Sequence, residues 1–387
     1  MSAHGETYAP VRGKLVTPVT AFFAALVVIM LSVMTVRLVR GLGAVTNLND
    51  GYPWGIWIAW DVVCGTALAG GGFSTALLVY ILNRGQYHPL VRPALVAALL
   101  GYVQAGFSVI GDLGRWWDFY HLLMPKYAQV NSVLFEVAIC IMAYTVIMSL
   151  ELLPVVLERL GWRRPRRVLN KMLFVFVAIG VLLPMMHQSS LGTMLVVFGP
   201  QVHPLYQSKL LPILFLTSTI GMGYAAITIE GAISAMGLRR PFEKEIIGKL
   251  LQIGRGLAAV FLVVRFGDLI LRGAIGQAFK PSTPMLMFWI ETALFSVPLW
   301  LLSSPAKRAR AKLLFLSAGA LALGGVLYRL SAFLVAYETG AGWHYFPSLG
   351  EIAVTAGLIS AEVLGIILAI RLLPILPAPE TTTERAP

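Results

Sequence analysis

Residues 130–157 read VNSVLFEVAICIMAYTVIMSLELLPVVL. The stretch exceeds the roughly 20 apolar residues that an α-helix needs to cross a bilayer, and it lacks the period of two that a barrel strand shows. It nevertheless holds two acids, Glu136 and Glu151. A carboxylate in hydrocarbon is costly unless it faces the interior of a bundle and finds a partner, so acids in such a segment mark a proton, ion or redox path. The fold expected is therefore a bundle of membrane helices with its polar groups turned inward.

Nine further segments share this character: Thr17 to Leu38, Trp54 to Leu82, Leu90 to Ile110, Val168 to Phe198, Leu210 to Met236, Ile246 to Leu271, Met285 to Leu302, Ala311 to Val335 and Leu349 to Leu373. Only 12% of residues are charged and 58% are hydrophobic, against about 25% charged in soluble proteins, so the chain is expected to be an all-α integral membrane protein in a single polytopic domain. The formal charge of +12 points to topology rather than to nucleic acid, because the basic residues crowd into alternate short loops. One side holds Arg12, Lys14, Arg84, Arg92, the run Arg159 to Lys171, Arg239, Arg240, Lys244, Lys307 to Lys312, Arg371 and Arg385. Ten spans with this bias are expected to place both termini on the cytoplasmic side. Met1 to Val16 is polar, and no removable signal peptide is expected.

The loops on the other side differ in kind. Asn47 to Trp57, Arg115 to His121 (RWWDFYH), Gly199 to Ser208 and Glu338 to Glu351 are rich in aromatics, Gly and Pro, which suits an interfacial belt and also a docking platform for another protein, the reading adopted here. Gly111-Asp112-Leu113 recurs as Gly267-Asp268-Leu269, and each is followed by an acid beside aromatics, Glu136 in SVLFE and Glu291 in MFWIE. Such a repeat predicts two pseudo-symmetric four-helix bundles, about 54–198 and 210–335, plus flanking helices.

At about 1.5 Å rise per residue, Asp61, Asp112, Arg115, Glu136, His187, Arg265, Asp268, Glu291 and Arg329 all fall in the outer half of the bundle. Arg265 and Asp268, three residues apart, are placed to pair. His187 in MMHQSS is the single span histidine, with Gln188, Ser189 and Ser190 beside it. An imidazole there can donate to a quinone carbonyl and deliver a proton, the alternative being a structural hydrogen bond. His4, His88, His121, His203 and His344 lie in loops or the tail, so no two-histidine haem site and no haem are expected. Cys64 and Cys140 are read as core residues, too few for an iron–sulfur cluster or other metal site in this chain. Glu230 near the inner face, with Glu151 and Glu362, suggests a staggered proton path.

YPWGIWIAWD at 52–61, NRGQYHPLVRPAL at 83–95, VNSVLFE at 130–136, LLPMMHQSS at 182–190, VRFGDL at 264–269, MFWIE at 287–291 and RLLPILP at 371–377 resemble the HybB-type membrane subunit of periplasm-facing nickel-iron hydrogenases, within the wider polysulfide reductase NrfD-like family. The resemblance implies a haem-free, quinone-reactive subunit. Its partners would be a periplasmic ferredoxin-like iron–sulfur subunit and the hydrogenase small and large subunits, and menaquinone the usual acceptor. It assigns quinone and proton roles to Asp61, Asp112, Glu136, His187, Glu230 and Asp268, although relatives can carry the longer acid at position 268. The site expected is thus His187, Asp112 and Glu136 as the reacting groups, Asp61, Arg115, Arg265 and Asp268 around the quinone, and Glu136, Glu230 and Glu291 on the proton path. The alternatives are the same role beside a molybdopterin enzyme or sulfur reductase, and a proton-coupled transporter with a midplane site.

Overall fold

The computed structural model describes residues 8–238, 242–340 and 342–377. Ten of its helices are long and apolar enough to cross a membrane. They are α1 Pro18–Arg40, α2 Ile56–Ile81, α3 Gly85–Asp112, α4 Val133–Leu160, α5 Arg163–Gln201, α6 Leu211–Leu238, α7 Lys244–Leu271, α8 Thr283–Leu301, α9 Ala311–Val335 and α10 Leu349–Leu372. Among the described residues there is no strand, only isolated bridges between Tyr8 and Pro377 and between Val202 and Tyr337. The chain is an all-α, multi-pass membrane protein.

Local chemistry sets the ends of these helices. Thr17 and Thr20 cap α1 reciprocally ahead of Pro18, and Ser348 and Glu351 do the same for α10, satisfying amides that have no partner inside the helix. Gly161 ends α4 at φ 74°, a left-handed geometry that suits glycine. Helix α5 starts at Arg163, earlier than hydropathy suggests. Arginine favours helix, and Pro165 sits in the first turn where its missing N–H costs nothing, so the basic run continues the helix out of the bilayer.

Helices α2 to α5 pack as one group and α6 to α9 as another, while α10 lies against α1 and α3. The groups meet where α6 packs against α5 and crosses α2. A Cβ added to Gly223 would collide with the backbone of Gly70 and Gly71, so only glycine lets these two helices touch main chain to main chain. Helix α2 is not regular: residues 59–65 and 77–81 form wide turns of the i→i+5 kind, as do 331–335 at the end of α9. Wide turns shift side chains and carbonyls out of ordinary helical register, and they recur at functional sites.

The described ends of the chain lie together. The Val11 amide donates to the Ile370 carbonyl at 3.0 Å, and Arg371 donates to the Arg12 carbonyl at 2.6 Å. Arg239, Arg240, Arg385 and His4 lie outside the described residues.

Candidate functional site

The first wide turn of α2 opens the site. It carries Asp61, 4% exposed, whose carboxylate accepts a hydrogen bond from Ser108 of α3. Five residues further along α2, just past the wide turn, stands Thr66. Its hydroxyl donates to the Val62 carbonyl at 2.6 Å and lies 3.2 Å from Nε2 of His187 on α5. Gln188 donates to Thr66 at 2.9 Å, and Thr219 of α6 donates to Gln188 at 2.8 Å. Arg329 of α9 then donates to Thr219 at 2.5 Å, to the Phe215 carbonyl at 2.8 Å and to the Val63 carbonyl at 3.1 Å. His187, Gln188, Thr66, Thr219 and Arg329 are all wholly buried. Arg329 has no carboxylate partner among the described residues, and neither His187 Nδ1 nor the Tyr102 hydroxyl has a hydrogen-bond partner. The Tyr102 ring packs 5.6 Å from that of His187 and 4.6 Å from that of Tyr144.

Glu136 belongs to this centre. Ser190 donates to it at 2.7 Å, and Ser190 lies three residues beyond His187 on α5, so acid and imidazole share one face of that helix. Unlike His187, Glu136 is half-buried and sits at the rim.

Asp112 does not join them. At the end of α3 it accepts the indole N–H of Trp57 at 2.7 Å, in an outer layer with Arg37, which donates to the Gly111 and Leu113 carbonyls. Tyr345 and Glu351 complete this layer: Tyr345 donates to Glu351 at 2.7 Å and accepts from the Ile56 amide at 2.7 Å. Burial, followed by the Glu351 hydrogen bond, raises the Tyr345 hydroxyl above the ordinary phenol pKa.

Nor does Arg265 pair with Asp268, as spacing suggested. Arg265 points inward and meets Glu291 of α8 at 2.8 Å, with both side chains buried. Tyr206 donates to the other oxygen of Glu291 at 2.8 Å. The guanidinium is boxed by Phe288 at 4.4 Å, Tyr328 at 4.9 Å and Tyr206 at 5.2 Å, which offsets its two unpartnered nitrogens. Asp268 faces the rim and pairs instead with Arg272 at 2.7 Å, one turn on. Arg115 lies beyond the end of α3, largely exposed beside Asp118 at 3.3 Å. These three residues and Asp112 therefore do not surround His187.

The inner acids form a separate series. The Glu362 carboxylate of α10 lies against Gly101 of α3, within electrostatic range of both Asp61 and Glu230. Glu151 of α4 fills the space left by Gly180 of α5, with one oxygen unpartnered. The sequence alone did not reveal that Glu362 comes within electrostatic range of both Asp61 and Glu230; the signal available was an acid in a span beside Ser360 and Ala361.

The profile of the polysulphide reductase NrfD family matches residues 44–340, a stretch that contains α2 to α9 entire. The chain belongs to this family. It is 44% identical over 371 residues, 95% of both chains, to the probable Ni/Fe-hydrogenase 2 b-type cytochrome subunit of Escherichia coli K12. It is 27% identical over 373 residues, 88% of this chain and 87% of the relative, to the integral membrane subunit of menaquinone reductase of Nitratidesulfovibrio vulgaris Hildenborough. A shorter match, 31% identical over 121 residues and covering 31% of this chain and 27% of the relative, joins it to a selenate reductase subunit of Mesobacillus selenatarsenatis. The coarse role follows: a membrane-embedded electron-transfer subunit of a redox complex.

The E. coli name corrects one expectation. A b-type cytochrome is a haem protein, so the sequence-based expectation of a chain without haem is withdrawn. The described residues fit such a group poorly: His187 is the single span histidine with a fully buried ring, Thr66 engages its Nε2, and no group of three or more His, Cys, Asp or Glu side chains is placed to hold a metal. No chemical step is assigned to haem.

Proposed function

We propose that this chain is the quinone-reactive membrane subunit of a nickel-iron hydrogenase complex in a bacterial inner membrane, with both termini cytoplasmic. Electrons would arrive from a ferredoxin-like iron–sulfur subunit docked on the aromatic outer loops, itself fed by the hydrogenase small and large subunits, and leave on menaquinone. The observation that carries this reading is the buried polar centre around His187 with Glu136 at its rim, together with relatives named for hydrogenase and menaquinone reductase. Reduction of a quinone to a quinol takes two electrons and two protons. Glu136 stands where a quinone entering from lipid meets the bundle and supplies protons to its oxygens; His187, one turn deeper on α5, resupplies Glu136. Asp61, Glu362 and Glu230 form the proton supply from the opposite side. We also propose that α2–α5 and α6–α9 are copies of one four-helix unit. A second reading keeps the chemistry and exchanges the partner for another reductase, as the selenate reductase relative suggests.

The test is hydrogen-driven reduction of a menaquinone analogue by membranes holding the assembled complex, beside reduction of a soluble dye. In His187→Gln the quinone rate should fall about a hundredfold, the scale of a lost acid–base group, with the dye rate kept. Equal quinone rates in variant and wild type would contradict the role given to His187.

A further inference from the structure

Hydrogen-bond direction along the buried chain is constrained at its Arg329 end. Arg329 has donors only, and it serves both the Phe215 carbonyl and Thr219. Thr219 accepts from it and has one proton to give, with the Phe215 carbonyl and Gln188 Oε1 both at 2.8 Å; Arg329 already donates to that carbonyl, so we assign the proton to Gln188 Oε1, which would otherwise go unserved. This fixes the amide, so that Gln188 Nε2 donates to Thr66. Thr66 has one proton, which the 2.6 Å bond to the Val62 carbonyl claims over the 3.2 Å contact with the imidazole. What Thr66 has left for His187 is a lone pair. Nε2 must then carry the hydrogen and donate it, and Nδ1 is bare, the nitrogen that has no hydrogen-bond partner.

We propose that Arg329 and Gln188 are positioning residues that hold His187 in the Nε2–H form, leaving Nδ1 as a buried base. The proposal rests on the role given to His187 above, and it adds what the second helix group contributes: a charge on α9 sets the polarity of a chain running through α6, α5 and α2 to the imidazole. Arg329 touches no substrate in this account. It acts by orientation, as a second-layer group does for a catalytic histidine. The Val62 and Val137 carbonyls both lie near the ring, so in this proposal a proton taken up at Nδ1 is donated to the Val137 carbonyl. Nδ1 thereby alternates between bare and protonated while Nε2 stays engaged, which makes it a one-proton store beside Glu136.

The experiment is solid-state nitrogen NMR of the full chain, labelled at histidine and held in membranes at neutral pH, with the His187 signals identified by their loss in His187→Gln. Wild type should show a protonated Nε2 and an unprotonated Nδ1 at His187. Gln188→Leu, which cuts the chain without removing a charge, should split these signals into both tautomers, and Arg329→Lys, which keeps a donor, should preserve them at least in part. A protonated Nδ1 bonded to Val137 in wild type would overturn the proposal, as would a Gln188→Leu spectrum identical to wild type. The outcome is independent of turnover. If the tautomer is as stated but His187→Gln still reduces quinone, the functional reading fails and the orientation stands.

Discussion

Glu136 in SVLFE and Glu291 in MFWIE are the acids that the sequence sets in parallel, and their surroundings differ in the way that matters. Glu291 is fully buried, with Arg265 on one oxygen and Tyr206 on the other. Glu136 is half-buried and accepts from the Ser190 hydroxyl, with no cation paired to it among the described residues. Glu291 thus uses its charge to lock α7 to α8, whereas around Glu136 capacity stays open: an imidazole nitrogen and a Tyr102 hydroxyl without hydrogen-bond partners, and an acid at the rim. Glu291 is placed to hold helices together, and Glu136 is the acid to which the proposed function gives proton exchange.

That contrast can be broken first at its strongest bond. Glu291→Ala leaves Arg265 buried without its carboxylate, and the expected loss is about 3–5 kcal/mol, read as a lowered thermal midpoint of the purified chain in detergent. The double change Arg265→Met with Glu291→Leu should recover most of it, because an apolar pair of similar volume replaces a buried ion pair at little cost. An unchanged midpoint in Glu291→Ala would show that the pair does not hold α7 to α8. At the seam between the groups, Gly223→Val should cost about 1–3 kcal/mol through overpacking against Gly70 and Gly71, seen in the same melting experiment.

Smaller effects sharpen the picture. Glu136→Gln keeps a partner for Ser190 and should shift stability by less than about 1 kcal/mol, so a large fall in the midpoint would move Glu136 into the holding class. Tyr345→Phe removes both hydrogen bonds of that hydroxyl, the one to Glu351 and the one from the Ile56 amide, worth about 1–2 kcal/mol together. Because the folded Tyr345 value is raised, the protonated phenol contributes stability that is fully present below the ordinary phenol range and is lost as pH climbs through the raised value. Melting curves at alkaline pH should therefore converge for wild type and Tyr345→Phe; a gap that stays constant would remove Tyr345 from that pH dependence.

Much of this was legible from residues alone. Ten spans follow from length and hydropathy, and the expectation that span acids and His187 gather in one region follows from placing them where lipid tolerates neither; that Glu136 rather than Asp112 lies beside the MMHQSS segment came from the structure. Spacing misled at Arg265, since three residues along a helix allow a pair with Asp268 but do not say which way each side chain turns; Asp268 found Arg272 and Arg265 found α8. The chain from Arg329 to His187 was not visible, because Thr66, Gln188 and Thr219 look like ordinary polar residues until four helices bring them into one line. The wide turn at Asp61 has no signature in AWDVVCG either. The haem expectation rested on counting span histidines, and the name of a relative corrected it.

The most direct test compares the two acids in the assembled complex: hydrogen-driven menaquinone-analogue reduction per assembled complex in Glu136→Gln and in Glu291→Gln, with dye reduction as the control for the hydrogenase side. The account predicts that Glu136→Gln assembles normally and loses quinone reduction while dye reduction persists, and that Glu291→Gln assembles poorly but turns over quinone normally once assembled. Normal quinone turnover in Glu136→Gln, with its loss in fully assembled Glu291→Gln, would contradict it.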